Sequence, residues 1–233
     1  MTMPETLTAF HARVDGFTAD SLPHEGGLVT RDSLTAKVGW DGGLRPFFGN
    51  TMIYELDDAS KLALCQRQVL LHHRAGWCLA EPLAPETFHI TLHDLLNSPE
   101  ESAIAAEVAH AEARALALLD EVRREGIPPI RMVSTHVFSM VTTSLVMGFA
   151  PETEADCAAL MGLYERFHAV VPISWGLTPH VTLAYYKPGQ YGPETVDALK
   201  SAICNAEALP PIHLTLQPDM LFHRRFSDMN HYF

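Results

Sequence analysis

Two segments of the sequence place a histidine two residues before a threonine in the same local pattern. Residues 87–92 read TFHITL and residues 178–183 read TPHVTL, so that His89 and His180 lie 180 − 89 = 91 residues apart. Successive side chains of a β-strand point to opposite faces, so each histidine would share one face with its threonine, and the apolar residues would share the other. Each segment therefore predicts a proton carrier and a hydroxyl side by side on a strand.

A pair of histidines suits displacement at phosphorus, because the reaction needs one proton removed and one supplied. A neutral imidazole takes a proton from the attacking oxygen, an imidazolium protonates the leaving oxygen, and each role contributes about 10²–10⁴-fold. The ordinary pKa of imidazole, about 6.5, makes both forms accessible near neutral pH. The hydroxyls of Thr91 and Thr182 would bind the non-bridging phosphate oxygens without a metal ion or other cofactor. This chemistry predicts a bell-shaped dependence of activity on pH.

A third histidine and threonine with the same spacing, His213 and Thr215, are expected to be ordinary strand residues. No threonine precedes His213 by two residues, as one does in the other two segments, and only 233 − 215 = 18 residues follow Thr215. A three-residue pattern recurs by chance in many sequences. The prediction therefore depends on the repetition of the pattern together with its surroundings.

The composition indicates a globular protein with an acidic surface. Hydrophobic residues make up 47% of the 233 residues and charged residues 19%, while 16 Lys and Arg against 28 Asp and Glu give a formal net charge of −12. This charge opposes binding to a long nucleic acid or an anionic membrane, since both are bound through Lys and Arg. With no signal-peptide pattern, no long apolar run and no CxxC pair, we expect a cytoplasmic protein with reduced cysteines.

Hydrophobic periodicity predicts an α+β fold made of two similar lobes that share one core. Each half of the chain reads as strand, helix, strand, helix, strand, and SPEE at residues 98–101 marks the start of the longest helix. We expect an N-terminal extension packed on the body over residues 1–49, a first lobe over 50–140 and a second lobe over 141–233.

Three further residues are candidates for binding the substrate. In a regular strand Tyr186 would share the face of His180 and line the same cleft. Phe222 and Arg224 would share one face of the last long strand, where a ring and a guanidinium could flank a nucleobase or a phosphate. They could equally belong to a solvated edge strand. His93 would share the face of His89 if that strand continued, although a surface turn is the alternative.

The two segments resemble the motifs of the two-histidine (2H) phosphoesterase superfamily, in which a histidine and a threonine or serine alternate with hydrophobic residues. Residues 88–92 match this pattern throughout, whereas Pro179 replaces the leading hydrophobic residue of the second motif. The resemblance covers about residues 50–226, and residues 38–51 (VGWDGGLRPFFGNT) look like the lead-in of a largely uncharacterised branch. It implies a bilobal α+β fold with antiparallel sheets, in which the motif strands line a central cleft.

The resemblance also implies a function. Members of the superfamily open 2′,3′-cyclic phosphates of RNA ends, open cyclic phosphates of ADP-ribose or cut 2′-5′ linkages. By this resemblance His89 and His180 would be the catalytic acid and base, and Thr91 and Thr182 would bind the phosphate. We therefore expect a metal-independent cyclic phosphodiesterase that acts on a small nucleotide or an RNA terminus with a cyclic phosphate. A long strand is disfavoured by the negative charge.

Two other hypotheses stay open at the level of sequence. The first is a non-catalytic nucleotide sensor that binds in the same cleft without turnover. The second is a metallohydrolase built from the 13 histidines, although the sequence has no HExxH motif and no Cys/His pair at zinc spacing.

Overall fold

The computed structural model describes residues 5–18 and 21–233, and the chain has a mixed α+β fold, as predicted. Its helices are α1 (Leu7–Thr18), α2 (Asp58–Ala75), α3 (Glu101–Glu125), α4 (Glu154–His168) and α5 (Pro193–Glu207). Its strands are β1 (Leu28–Val29), β2 (Phe48–Glu55), β3 (His89–Ser98), β4 (Ile130–Met140), β5 (Ser144–Pro151), β6 (His180–Tyr185), β7 (Gln190–Tyr191), β8 (His213–Leu216), β9 (Leu221–Asp228) and β10 (His231–Tyr232).

Two four-stranded antiparallel sheets form the body of the molecule. The first sheet has the order β10-β9-β2-β3 and the second has the order β6-β5-β4-β8. The two strands that begin with the motif histidines, β3 and β6, are edge strands of different sheets and lie in contact with each other. The expected bilobal arrangement, with motif strands facing one cleft, is confirmed.

The two sheets do not correspond to consecutive halves of the chain. Strands β4 and β5 form a hairpin in the second sheet, so the boundary expected between residues 140 and 141 falls in the turn of that hairpin. Strands β9 and β10, the last two along the chain, belong to the first sheet. The physical reason is the burial of β2: six of its eight residues are buried, and such a strand needs a hydrogen-bonding partner on both edges. Strand β9 supplies the second partner.

The helices cover the sheets and begin close to where the sequence predicts. Asp57 caps α2 by accepting a hydrogen bond from the Ser60 backbone N–H at 2.7 Å. Helix α3 starts at Glu101, and just before it the Ser98 hydroxyl accepts a hydrogen bond from the Glu100 N–H. The helix ends at Glu125 and is followed by Gly126, which has a φ of 76°. Helix α3 packs on the first sheet and α4 on the second. No helix in the described residues is long and apolar enough to cross a membrane.

The N-terminal extension packs on the body along most of its described length. Phe10 and Val14 of α1, then Leu34, Val38 and Phe47, are buried in the common core. Strand β1 adds to the structure by pairing with β7. The extension is therefore part of the folded body and reaches the cleft described below.

Candidate active site

His89 and His180 are held by the same hydrogen bond in both sheets. The Nδ1 of His89 lies 2.7 Å from the carbonyl oxygen of Thr87, and the Nδ1 of His180 lies 2.7 Å from that of Thr178. A backbone carbonyl can only accept, so each Nδ1 must carry the hydrogen. The free nitrogen of each neutral ring is therefore Nε2, which is the state that a general base needs.

One cavity of about 630 Å³ receives all four predicted motif residues. His89, Thr91, His180 and Thr182 line it, and its size lies within the range of small-molecule sites, roughly 300–1,000 Å³. In the described part of the chain, neither threonine hydroxyl has a hydrogen-bond partner. Two imidazoles and two hydroxyl-bearing side chains thus line the same cavity.

Both motif strands also contain a β-bulge directly after the threonine. Leu92, which follows Thr91, is skipped in the register between β3 and β2, and Leu183, which follows Thr182, is skipped between β6 and β5. Both leucines are fully buried. A bulge of one residue shifts the alternation of side chains beyond it by one position. The residues after each threonine therefore face opposite to where a regular strand would put them.

The bulge in β6 overturns the prediction for Tyr186. A regular strand would turn Tyr186 toward the cleft, but its side chain is 0% exposed in the core, and its hydroxyl is buried. Tyr185 lines the cavity instead, and its hydroxyl donates to the Met229 sulfur at 3.1 Å. The sequence predicted the wrong tyrosine because the inserted Leu183 is as apolar as its neighbours.

The bulge in β3, in the first sheet, likewise changes which side chains beyond it face the cavity. His93 is 1% exposed, and its ring packs on Tyr164 and His168 of α4. The strand β3 therefore continues through His93, and the alternative of a surface turn is wrong. His93 and Asp94 both line the cavity, and Asp94 is the more exposed of the two. Asp94 follows His89 by five residues, as Tyr185 follows His180, so the two occupy equivalent positions.

Phe222 and Arg224 do not line the cavity, contrary to the prediction. The guanidinium of Arg224 is paired with the carboxylate of Glu55 and lies 4.6 Å from the ring centre of Phe222. The residue of β9 that reaches the cavity is Phe226. The sequence could not foresee the pairing, because Glu55 and Arg224 are brought together only by the register of β2 with β9.

An aromatic wall, which sequence analysis missed, runs along the first sheet to His89. Phe47 and Phe226 stack at 6.2 Å, Phe226 meets Tyr232 at 5.5 Å, and Tyr232 meets the ring of His89 edge-on at 4.8 Å between ring centres. All of them line the cavity. No local sequence pattern predicts the position of Tyr232, because its strand, β10, is only two residues long.

Burial is the main influence on the pKa of both histidines, and their charged neighbours differ in part. Burial lowers the pKa of both imidazoles below the ordinary 6.5, because it disfavours the charged form. The pKa of His89 is lowered further by His180 and raised again by Asp94 and Glu55. The pKa of His180 is raised by Asp94 and lowered by Lys37. Without a bound anion, both rings are thus predominantly neutral at pH 7.

Two histidines outside the cavity, His213 and His136, lie on the surface next to glutamates. His213 lies on the exposed face of β8 with its Nδ1 2.7 Å from Glu152, and Thr215 is exposed beside it. The Nδ1 of His136 lies 3.4 Å from Glu207. The expectation that the third pattern belongs to an ordinary strand is confirmed. Within residues 5–18 and 21–233, no group of three or more His, Cys, Asp or Glu is placed to hold a metal ion.

Comparison with known proteins supports the fold. No family model and no curated protein matches the chain. Among solved structures, the chain is similar to a conserved protein of unknown function from Agrobacterium tumefaciens, ATU0111, with a TM-score of 0.67 and 17% identity over 94% of this chain and 96% of that one. A second similar structure is TT0787 of Thermus thermophilus, with a TM-score of 0.45 and 18% identity over 76% of this chain and 86% of that one.

Proposed function

We propose that the chain is a metal-independent phosphodiesterase of the two-histidine type. It opens a 2′,3′-cyclic phosphate, or a related small phosphodiester, on a nucleotide or an RNA end. The observation that carries this proposal is the matched pair of imidazoles, His89 and His180. Each is fixed through Nδ1 at 2.7 Å to the carbonyl two residues earlier, and each lines the same cavity as its threonine.

The reaction needs the two histidines in opposite protonation states. The neutral Nε2 of one ring takes a proton from water as the water oxygen attacks phosphorus, and the P–O bond to the leaving ribose oxygen breaks. The Nε2–H of the other ring, as imidazolium, gives its proton to that ribose oxygen. The net change is the addition of one water molecule, after which the two rings have exchanged their protonation states.

The anionic phosphate itself supplies the charge that stabilises the imidazolium. Burial holds the pKa of both histidines low, so the free cavity keeps neutral rings. An opposite charge close by raises the pKa of an imidazole. Binding of the phosphate therefore favours protonation of one ring. We propose that the hydroxyls of Thr91 and Thr182 bind the two non-bridging oxygens, since hydrogen bonds to charged groups are worth more than those to neutral ones.

The size and charge of the molecule support a small substrate. The cavity of about 630 Å³ accommodates a nucleotide, and the net charge of −12 disfavours a long strand laid across the surface. We further propose that the protein acts in the cytoplasm, where RNA ends and small nucleotides are available.

The test is a product-resolved screen in the presence of EDTA. The substrates are 2′,3′-cyclic mononucleotides, RNA oligonucleotides ending in a 2′,3′-cyclic phosphate, a cyclic phosphate of ADP-ribose and 2′-5′ dinucleotides. We expect the wild type to open at least one cyclic phosphate and the double variant H89A/H180A to open it about 10²–10⁴-fold more slowly. Activity that EDTA abolishes and a divalent ion restores would contradict the metal-independent mechanism.

Binding measurements in the same screen separate an enzyme from a sensor. If the wild type binds a cyclic phosphate without turnover, and H89A/H180A binds it equally well, the sensor hypothesis is correct and the enzyme hypothesis is wrong. The variant H213A/T215V is the matched control, because it removes the same side chains from a strand outside the cavity. It should retain wild-type activity.

A further inference from the structure

The positive charge in the cavity comes from one part of the chain. Among the described residues, the cationic side chains that line the cavity are Arg13, Arg31 and Lys37, all within the N-terminal extension. The only carboxylate in the lining is Asp94, so the lining carries a formal charge of 3 − 1 = +2. In a chain with a net charge of −12, this is a local reversal of sign. The extension thus makes the cavity attractive to anions.

Arg13 is already occupied by a neighbouring carboxylate. Its guanidinium donates two hydrogen bonds of 2.8 Å to Glu5, and it lies 5.2 Å from the ring centre of Phe10. Hydrogen bonding to Glu5 raises the pKa of Arg13, consistent with a stable pair. Arg13 therefore contributes little net charge to a ligand.

Lys37 has no carboxylate partner in the part of the chain that the structure describes. Its ammonium lies 4.9 Å from the ring centre of Phe47 and 5.8 Å from that of Tyr185, both of which line the cavity. The backbone of Lys37 is fixed on both sides: its N–H donates to Leu34 and its carbonyl accepts from Arg45, each at 2.9 Å. Lys37 is a positioned cation on an aromatic support.

Arg31 also lines the cavity and also has no carboxylate partner in the described residues. Its backbone N–H donates to the carbonyl of Thr142, in the turn between β4 and β5. Ser144, which follows that turn, pairs with Tyr185, whose ring faces Lys37. The backbone of Arg31 and the ammonium of Lys37 are thus both linked to the region around Tyr185, at the end of β6.

We propose that Arg31 and Lys37 form an anion subsite for a second, non-scissile phosphate of the substrate. This inference rests on the proposed function, in which Thr91 and Thr182 bind the oxygens of the scissile group. Arg31 and Lys37, the two cavity cations that have no carboxylate partner among the described residues, are therefore left for a second anionic group. A phosphate monoester adds about −1.5 to −2 at pH 7 and presents three acceptor oxygens. The substrate class is therefore a nucleoside cyclic phosphate that bears a further phosphate group.

The kinetic test compares two substrates that differ only in the second phosphate. We expect the wild type to turn over a 5′-phosphorylated nucleoside 2′,3′-cyclic phosphate with a kcat/KM about tenfold or more above that of the 5′-hydroxyl form, since charge-assisted hydrogen bonds are worth about tenfold each. In K37Q and R31Q this ratio should fall toward one, and K37R should retain it. Because the ratio is taken within each variant, an altered pKa of His180 cancels. K61Q, which removes the same charge from α2 outside the cavity, should keep the wild-type ratio.

A binding test separates this inference from the proposed function. The ligands are a nucleoside 3′,5′-bisphosphate and the corresponding 3′-monophosphate, measured by titration calorimetry on wild type, K37Q and R31Q, with circular dichroism to verify folding. Tighter binding of the bisphosphate that both variants lose supports the subsite even if no cyclic phosphate is opened. Equal binding of the two ligands by the wild type, or an unchanged preference in the double variant R31Q/K37Q, would overturn it.

Discussion

The two motif strands are alike in their backbone and different in their surroundings. In both, the histidine is held through Nδ1 by a carbonyl two residues earlier, and a buried leucine forms a bulge directly after the threonine. Five residues after the histidine, however, β3 presents Asp94 and β6 presents Tyr185. Asp94 influences both histidines, but Glu55 influences only His89 and the cation Lys37 influences only His180. The repeated features fix both imidazoles in the same tautomer, and the unrepeated ones give the two histidines different charged neighbours.

Removing either histidine should produce the largest effect. H89A and H180A are each expected to lower kcat by about 10²–10⁴-fold, because each removes one proton-transfer partner. The double variant should lose little more than the worse single variant, since residues that act as one unit are not additive. Steady-state kinetics on the cyclic phosphate identified in the screen measures all three.

The control for this pair is H213A, outside the cavity, whose kcat should equal that of the wild type. If one of the two single variants keeps more than a tenth of the wild-type kcat, the two strands are not functionally equivalent. The mechanism with two proton-transfer partners would then be wrong.

Removing a threonine hydroxyl should have a smaller effect than removing a histidine, and the effect should be similar for Thr91 and Thr182. T91V and T182V keep the shape of the side chain and each delete one hydrogen bond to a charged oxygen, for which a loss of about 10- to 100-fold in kcat/KM is expected. The measurement is kcat/KM on the same cyclic phosphate. T215V is the matched control on β8. A loss in only one of the two variants would mean that the phosphate is bound from one sheet.

Charge variants should separate the two histidines by pKa. Asp94 raises the pKa of both rings, so D94N should lower both and move the acidic limb of the kcat/KM profile to lower pH. E55Q should lower the pKa of His89, and K37Q should raise that of His180, since it removes a repelling charge from the imidazolium. NMR titration of the ring Cε1–H signals follows each histidine separately.

The wild-type profile gives the reference for these shifts. Because the pKa of both histidines lies below 6.5 in the free protein, the maximum of kcat/KM should fall on the acidic side of neutrality. If D94N changes the pKa of only one ring, the expectation that Asp94 acts on both histidines is wrong.

The sequence predicts the shared part of this site better than the part that differs. His89, Thr91, His180 and Thr182 could be found because motif and context recur within one chain. The bulges could not, since Leu92 and Leu183 preserve the apolar pattern while the register depends on the partner strands. Their consequence was the wrong tyrosine on β6 and the missed carboxylate on β3.

Other parts of the site are assembled by contacts far apart in the chain. Tyr232 reaches His89 because β9 pairs with the buried strand β2, a choice that no local pattern specifies. Lys37 lies in a loop whose position depends on packing of the extension. The lobes were divided wrongly for the same reason: β9 and β10 belong with strands that precede them by more than a hundred residues.

The smallest predicted effect concerns a strained turn of the second sheet, which has no counterpart in the described residues of the first sheet. Val141 and Thr142 adopt φ values of 42° and 58°, and the Thr143 N–H donates to the Met140 carbonyl at 2.9 Å. This is the geometry of a type I′ turn, which favours Asn followed by Gly. In the first sheet β2 and β3 are joined through α2, and the turn between β9 and β10 contains no residue with a positive φ.

Replacing these two residues should stabilise the fold. V141N/T142G is expected to raise the free energy of unfolding by about 1 kcal/mol, because a β-branched residue in the left-handed region is strained. Urea denaturation with an unchanged m-value measures the gain. V141A is the matched control: alanine is not β-branched but still disfavours positive φ, so its gain should be smaller. A double variant no more stable than the wild type would mean that the hairpin compensates for the strain, and the two sheets would then not differ in stored strain.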